Sequence, residues 1–210
     1  AYTLNRENYH SAIRMTAGTI NGPSEIRSGG WSALNVTSNA AATSSTISAR
    51  VNLNGANGTF NVANGAATQD LVISGTITGN ANSNIILNGD GTASATADNT
   101  YQGKTTVNDT ATLIMSGANS TTDVIITTNA TLTGAGSIAG ELNLSGTLDG
   151  SFTVGTNSNL ASGSVWQVDL TSNGVNEALD TTGTLDAAGM IGINLGYTAS
   201  NGDSFDIADF

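Results

Sequence analysis

Asn-Gly pairs punctuate this chain, at Asn54-Gly55, Asn57-Gly58, Asn64-Gly65, Asn88-Gly89, Asn173-Gly174 and Asn201-Gly202. Asn and Gly accept the positive φ values that tight turns need, so each pair marks a place where the chain changes direction. Short bursts rich in β-branched residues lie between them. They are Ile47 to Leu53, Phe60 to Val62, Leu71 to Ile73, Ile85 to Leu87, Leu113 to Met115 and Val124 to Ile126, then Leu142 to Leu144, Phe152 to Val154, Val165 to Leu170 and Ile191 to Leu195. Helix is hard to place anywhere, and strands at this spacing with such turns predict an all-β fold.

Sandwich, barrel and solenoid all satisfy that description, so the repeat pattern must choose among them. A small unit recurs at Ala17-Gly18-Thr19-Ile20, Asn57-Gly58-Thr59-Phe60, Ser74-Gly75-Thr76-Ile77, Ser145-Gly146-Thr147-Leu148 and Thr182-Gly183-Thr184-Leu185. Turn-plus-strand units of this kind suggest equivalent corners of successive coils, with Thr outward and the apolar residue inward. Composition agrees. Hydrophobic residues are 38% but aromatics only 5%, too little for a thick globular core and enough for a thin one that each coil buries on its neighbours. The fold class expected is a parallel β-helix (β-solenoid), right-handed, with a non-repeat N-terminal cap. About eight coils at roughly 4.8 Å each make a rod of roughly 40 Å.

The segment Asn99-Thr100-Tyr101-Gln102-Gly103-Lys104-Thr105-Thr106-Val107-Asn108, followed by Leu113-Ile114-Met115-Ser116-Gly117, resembles the autotransporter-associated β-strand repeat of bacterial surface proteins. Gln69 to Gly75 upstream, Ala130 to Gly140 downstream and the stretch from Asp180 to Ile207 are similar to the same family in order and style. Three positions depart from its pattern. Lys104 stands for a frequent Gly, Asp109-Thr110-Ala111 for the usual Ala/Gly turn, and the tyrosine motif has one clear copy. The resemblance covers about residues 45 to 210. It implies a parallel β-helix carried across the outer membrane and displayed at the bacterial cell surface or in the extracellular medium. On this reading residues 1–44 are a cap or docking region, 45–170 the repeats, and 171–210 the strands that close or continue the solenoid.

Charge and rare residues narrow the function further. Net charge is −11, divided as +2 over residues 1–50 and −13 beyond them, where Lys104 is the only strong cation. An acidic body of this kind argues against nucleic acid and against anionic membrane surfaces. No apolar run approaches the length of a membrane helix, so no transmembrane segment is expected. With no Cys and a single His, His10, disulfides, thiolate metal sites and ordinary zinc sites are excluded. Asp70, Asp90, Asp98, Asp109, Asp123, Glu141 and Asp149 are scattered singly, with no adjacent acid pair and little positive charge to hold an anionic sugar. No catalytic residue, metal ligand or cofactor is therefore assigned. Calcium is the one metal the composition accommodates, at Asn88-Gly89-Asp90-Gly91 or Asp203, Asp206 and Asp209.

The expected function is a non-enzymatic extracellular structural protein, a surface stalk or adhesin-like passenger. One alternative is a self-assembling subunit of a fibre joined end to end. A weaker one is a β-helix that binds or cleaves polysaccharide, with Trp31, Trp166, Tyr101 and Tyr197 available to stack on sugars. The partners expected are other copies of the chain, the rest of a longer surface protein, or a surface polysaccharide. The charge division and the alternating segment Ser204 to Phe210 make Arg6, Arg14, Arg27, Phe205, Ile207 and Phe210 the candidate inter-subunit contacts.

Overall fold

The computed structural model describes residues 1–3, 8–29, 32–119, 123–172 and 174–209. Every regular element among them is a β-strand. The strands wind in a repeating three-step order onto three parallel faces, which is a β-solenoid. One face is a nine-stranded sheet running from Ala12–Met15 to Leu185–Ala187, so nine coils are stacked and the body is about 43 Å long. A second face begins with Tyr2–Thr3, Thr19–Asn21, Ser45–Ile47 and Leu71–Ile73 and ends at Met190–Leu195. The third starts as a four-stranded sheet of Asn8–His10, Glu25–Ser28, Arg50–Asn52 and Ile77–Thr78. It later merges with the second through the eight-residue strands Thr131–Ile138 and Thr147–Val154. One antiparallel pair interrupts the pattern, where Val165–Ser172 folds against Val175–Asn176.

Alternation within each strand makes the core. In Leu34–Ser38, Gly58–Val62, Val124–Ile126 and Leu142–Leu144 every second residue is buried and the residue between is half-buried or exposed. Because stacking is parallel and in register, Val36 lies on Phe60, Phe60 on Leu87, and Val124 on Leu142. One continuous column of apolar side chains fills the lumen. Burying a side chain of this size contributes about 1.5–3 kcal/mol, which offsets the ordering of a chain with little other core. The same ladders already run through residues 12–38, since Ala12 pairs with Asn35 and Leu34 with Gly58.

Coil length varies, which explains the irregular spacing of the sequence. Partners one coil apart are 27 residues apart at Asn57 and Asn84, 20 at Asn88 and Asn108, 16 at Asn143 and Asn159, and 25 at Asp169 and Asn194. The shortest coils dispense with a loop between two faces. In Thr131–Ile138 and Thr147–Val154 the strand simply bends at Gly134 (φ 109°) and Gly150 (φ 139°), which stack on each other. A Cβ on Gly150 would lie 2.0 Å from the carbonyl oxygen of Gly134, so only glycine fits.

Two expectations about turns need correction. Asn54-Gly55 is a tight turn with positive φ at both residues, but Gly58 of Asn57-Gly58 opens the strand Gly58–Val62. The Gly-Thr-apolar units do turn Phe60, Ile77 and Leu148 into the lumen, yet they do not mark one corner. Thr19-Ile20 and Thr147-Leu148 lie on one face, Thr59-Phe60 and Thr184-Leu185 on another, and Thr76-Ile77 leads into the third. A turn followed by an inward apolar residue is a local requirement that any corner of the coil can meet.

Candidate functional site

The Asn99–Asn108 segment shows what the polar residues of this chain do. Asn99 is 5% exposed, and its Oδ1 accepts the backbone N–H of Ile77 in the preceding coil at 2.8 Å. Tyr101 enters the lumen and hydrogen-bonds through its hydroxyl to Thr105 Oγ1. Gly103 passes so close to Ser83 that a Cβ would sit 2.5 Å from that backbone. Asn108 Nδ2 donates to Asn88 Oδ1 at 3.0 Å, and Asn88 Nδ2 to Asn61 Oδ1 at 3.2 Å, a ladder across three coils.

A longer ladder occupies the corner before the nine-stranded sheet, on residues that the sequence alone did not connect. Asn84 donates from its backbone and side chain to Asn57 Oδ1, at 3.2 and 2.9 Å, and Lys104 donates its backbone N–H to Asn84 Oδ1 at 2.8 Å. Lys104 Nζ then meets Asp123 Oδ2 at 3.1 Å, and Asp123 Oδ1 accepts the N–H of Glu141 at 3.0 Å. Asn157 donates to Glu141 Oε1 at 3.3 Å and accepts from Thr184 at 3.1 Å. Partial burial raises the Asp123 carboxyl, but the Glu141 N–H and the hydrogen bond and charge of Lys104 outweigh it, and the net shift is downward.

The scattered acids serve the same purpose. Asp70, 4% exposed, clamps Gly65 and Thr92 by accepting both N–H groups at 2.8 Å. Asp90 accepts from Asn64, Asp98 from Ala118 and Asp109 from Gly89. Asp203 accepts from the Tyr197 hydroxyl and from Ser200 N–H, both at 2.8 Å. Asp90 and Asp203, members of the two calcium candidates, are thus engaged in holding turns.

Asp149, Asp169 and Glu177 are different, because three carboxylate oxygens from separate segments lie within 4.8 Å of one another. Burial and the charge of Asp169 raise the Asp149 carboxyl. Burial raises Glu177 as well; a hydrogen bond from Asp169 N–H opposes it, and the charges of Asp149 and Asp169 add to it. This is the donor set that a hard cation such as calcium would take. Sequence spacing concealed it, since the hairpin at Val175–Asn176 is what carries Glu177 back over the strand.

Several hollows mark the described residues. One, of about 40 Å³, lies in the lumen among Phe60, Ile77, Leu87, Tyr101 and Met115. Another, of 290 Å³, lies on the third face beside Thr153, Asp180 and Asp209. A wider one, of 530 Å³, is the open mouth of the first coil, lined by Tyr2, His10, Ile13, Arg14, Met15 and Ile20 among others. At the opposite end Ile191, Ile193 and Leu195 stack on Trp166, Val168 and Leu170 and so point into the lumen. They are nevertheless 45%, 57% and 56% exposed, because no further coil among the described residues covers them.

Four of the six candidate contacts are described, two near each end of the body. Arg14 is exposed on the first strand of the nine-stranded sheet. Arg27 lies over the ring of Tyr9 at 5.7 Å and 3.5 Å from Glu25, which also holds Arg50. Phe205 and Ile207 are half-buried against the core, with Phe205 edge-on to Tyr197 at 5.9 Å between ring centroids. Arg6 and Phe210 lie outside the described residues, as does Trp31. Trp166 and Tyr101 are in the lumen, which removes them from any sugar-stacking surface. No helix among the described residues is long and apolar enough to cross a membrane. Comparison with protein-family models, with curated proteins and with solved structures finds no match to this chain.

Proposed function

We propose that the chain is a non-enzymatic structural module, a rigid stalk or adhesin-like passenger displayed outside a bacterial cell. The observation that carries this reading is the commitment of polar side chains to coil-to-coil hydrogen bonds from Asn57 to Thr184. Side chains held this way give stiffness and length, and they are not free to act on a substrate. The resemblance of Asn99–Asn108 to autotransporter passenger repeats supports the extracellular setting. Half-buried Thr92, Thr112, Thr131 and Thr147 form an outward column of hydroxyls on one face, a hydrated surface suited to weak, multivalent adhesion.

The test is antibody labelling of intact source cells, with small-angle scattering of the purified chain. The expected outcome is labelling without permeabilisation and a rod about 43 Å long. Labelling only after permeabilisation would overturn the extracellular reading. Cleavage of an acidic polysaccharide, abolished by Asp149→Asn or Asp180→Asn, would replace the structural reading with the enzymatic one.

A further inference from the structure

The Asn-Gly pairs that punctuate the sequence carry a chemical liability as well as a turn. The N–H of the glycine can attack the side-chain amide of the asparagine before it, an intramolecular reaction that glycine leaves unhindered. Asn173 lies outside the described residues and Asn201 belongs to the last coil. The other four pairs stand in coils with a neighbour on each side, and the structure sorts them. Gly58 N–H donates to the Asn84 carbonyl at 2.8 Å, and Asn57 Oδ1 accepts from Asn84. Gly89 N–H donates to Asp109 Oδ2 at 3.1 Å, while Asn88 commits both amide atoms to Asn61 and Asn108. Gly65 N–H donates to the buried Asp70 at 2.8 Å, although the Asn64 side chain is exposed. Asn54-Gly55 differs from all three. Asn54 is exposed, and among the described residues neither its side-chain amide nor the Gly55 N–H has a hydrogen-bond partner.

The structure assigns Asn54 as a site of spontaneous deamidation, and the bonds between coils as the protection of Asn57, Asn64 and Asn88. The Gly55 nitrogen loses its proton to solvent and bonds to Cγ of Asn54. The bond from Cγ to Nδ2 breaks, Nδ2 takes up a proton and leaves as ammonia, and a five-membered succinimide remains. Water then opens the ring. Attack at the side-chain carbonyl gives aspartate, and attack at the main-chain carbonyl gives isoaspartate, with no oxidant or reductant in either step. Each event adds one negative charge at an outer corner. Isoaspartate also lengthens the main chain inside a turn where Asn54 and Gly55 both have positive φ and Ala56 N–H closes on Leu53 O at 2.8 Å. Ageing is thereby confined to a corner, and the amides that tie coil to coil are spared.

Incubation of the purified chain in mildly alkaline buffer, folded and in parallel in denaturant, tests the assignment. Proteolysis and mass spectrometry, with chromatographic separation of aspartyl from isoaspartyl peptides, read each pair. In denaturant the four pairs convert at similar rates, because the local sequence is the same. In the folded chain Asn54 converts first. A hydrogen bond that must open before the glycine N–H can attack slows the reaction by about tenfold, so Asn64 lags Asn54 by about that factor. Asn57 and Asn88, held at the side chain as well, lag further. Asn54→Ser removes the fast phase and leaves the slow ones. Folded Asn57 or Asn88 converting as fast as Asn54, or Asn54 surviving in the folded chain while it converts in denaturant, would overturn the assignment.

Discussion

The coils around residues 124–160 and the coil containing Met190–Leu195 follow one rule of alternation, yet they end in opposite environments. Val124, Ile126, Leu142 and Leu144 are at most 1% exposed, whereas Ile191, Ile193 and Leu195 are about half exposed although they occupy the equivalent inward positions. Alternation decides which way a side chain points; a neighbour on each side decides whether it is buried. In a stacked fold the interior coils are thus stabilised twice over and the outermost ones once. The same contrast holds for the backbone, where the middle coils bend at stacked glycines with no room to spare, while Gly163 and Gly174, on the way to the last coil, have nothing near them.

Changes at glycines should break the contrast most sharply. Gly150→Ala puts a Cβ against a backbone oxygen at a positive φ, so strain and overpacking add to about 3–5 kcal/mol of destabilisation in denaturant unfolding. Gly163→Ala, also at positive φ but in open space, should cost about 1 kcal/mol. Next in size is the pair Leu142→Ala and Ile193→Ala. The first leaves a hole in the lumen and should cost about 2–5 kcal/mol. The second should cost under about 1 kcal/mol. Equal losses at the two sites would mean that exposure does not separate the last coil from the middle ones.

Charge effects should be smaller and should separate the middle coils from the hairpin region. Asp123 has a lowered carboxyl, so its contribution is present above the ordinary aspartate range and is lost as pH falls through its folded value. Asp149 and Glu177 have raised carboxyls; the stability tied to them is present below their ordinary range and is lost as pH rises through their folded values. Unfolding midpoints should therefore increase slightly from neutral to mildly acidic pH, by less than about 1 kcal/mol because these groups face solvent. Asp169→Asn, which removes a charge acting on both, should flatten that rise. The smallest effect expected is that of Asp123→Asn at neutral pH. Its amide oxygen still accepts from Glu141, and only the exposed pair with Lys104 is lost, worth under about 1 kcal/mol.

Much of the fold was legible in the residues. Bursts such as Leu142 to Leu144 and Val124 to Ile126 are strands with both flanking residues inward, and the Asn54-Gly55 turn is where its chemistry put it. The motif that carried the most specific resemblance, Asn99 to Asn108, is a corner and the strand after it, in which Asn99, Tyr101, Gly103 and Thr105 each have a packing reason. What the residues did not display was their partners. Nothing about Asn57, Asn84, Lys104, Asp123, Glu141, Asn157 and Thr184 says that they form one line, because coils of 16 to 27 residues give the line no fixed period. The acid trio of Asp149, Asp169 and Glu177 was hidden for a related reason, since a hairpin brings Glu177 back to a strand eight residues earlier.

By itself, then, the sequence determined direction and local geometry: which residues turn, which extend, and which side of a strand is apolar. These are properties of a residue and its immediate neighbours. The tertiary structure alone decided register, and with it the hydrogen-bonded ladders and the clustered carboxylates. Register between parallel strands depends on the length of the chain that returns between them, and here that length changes from one coil to the next.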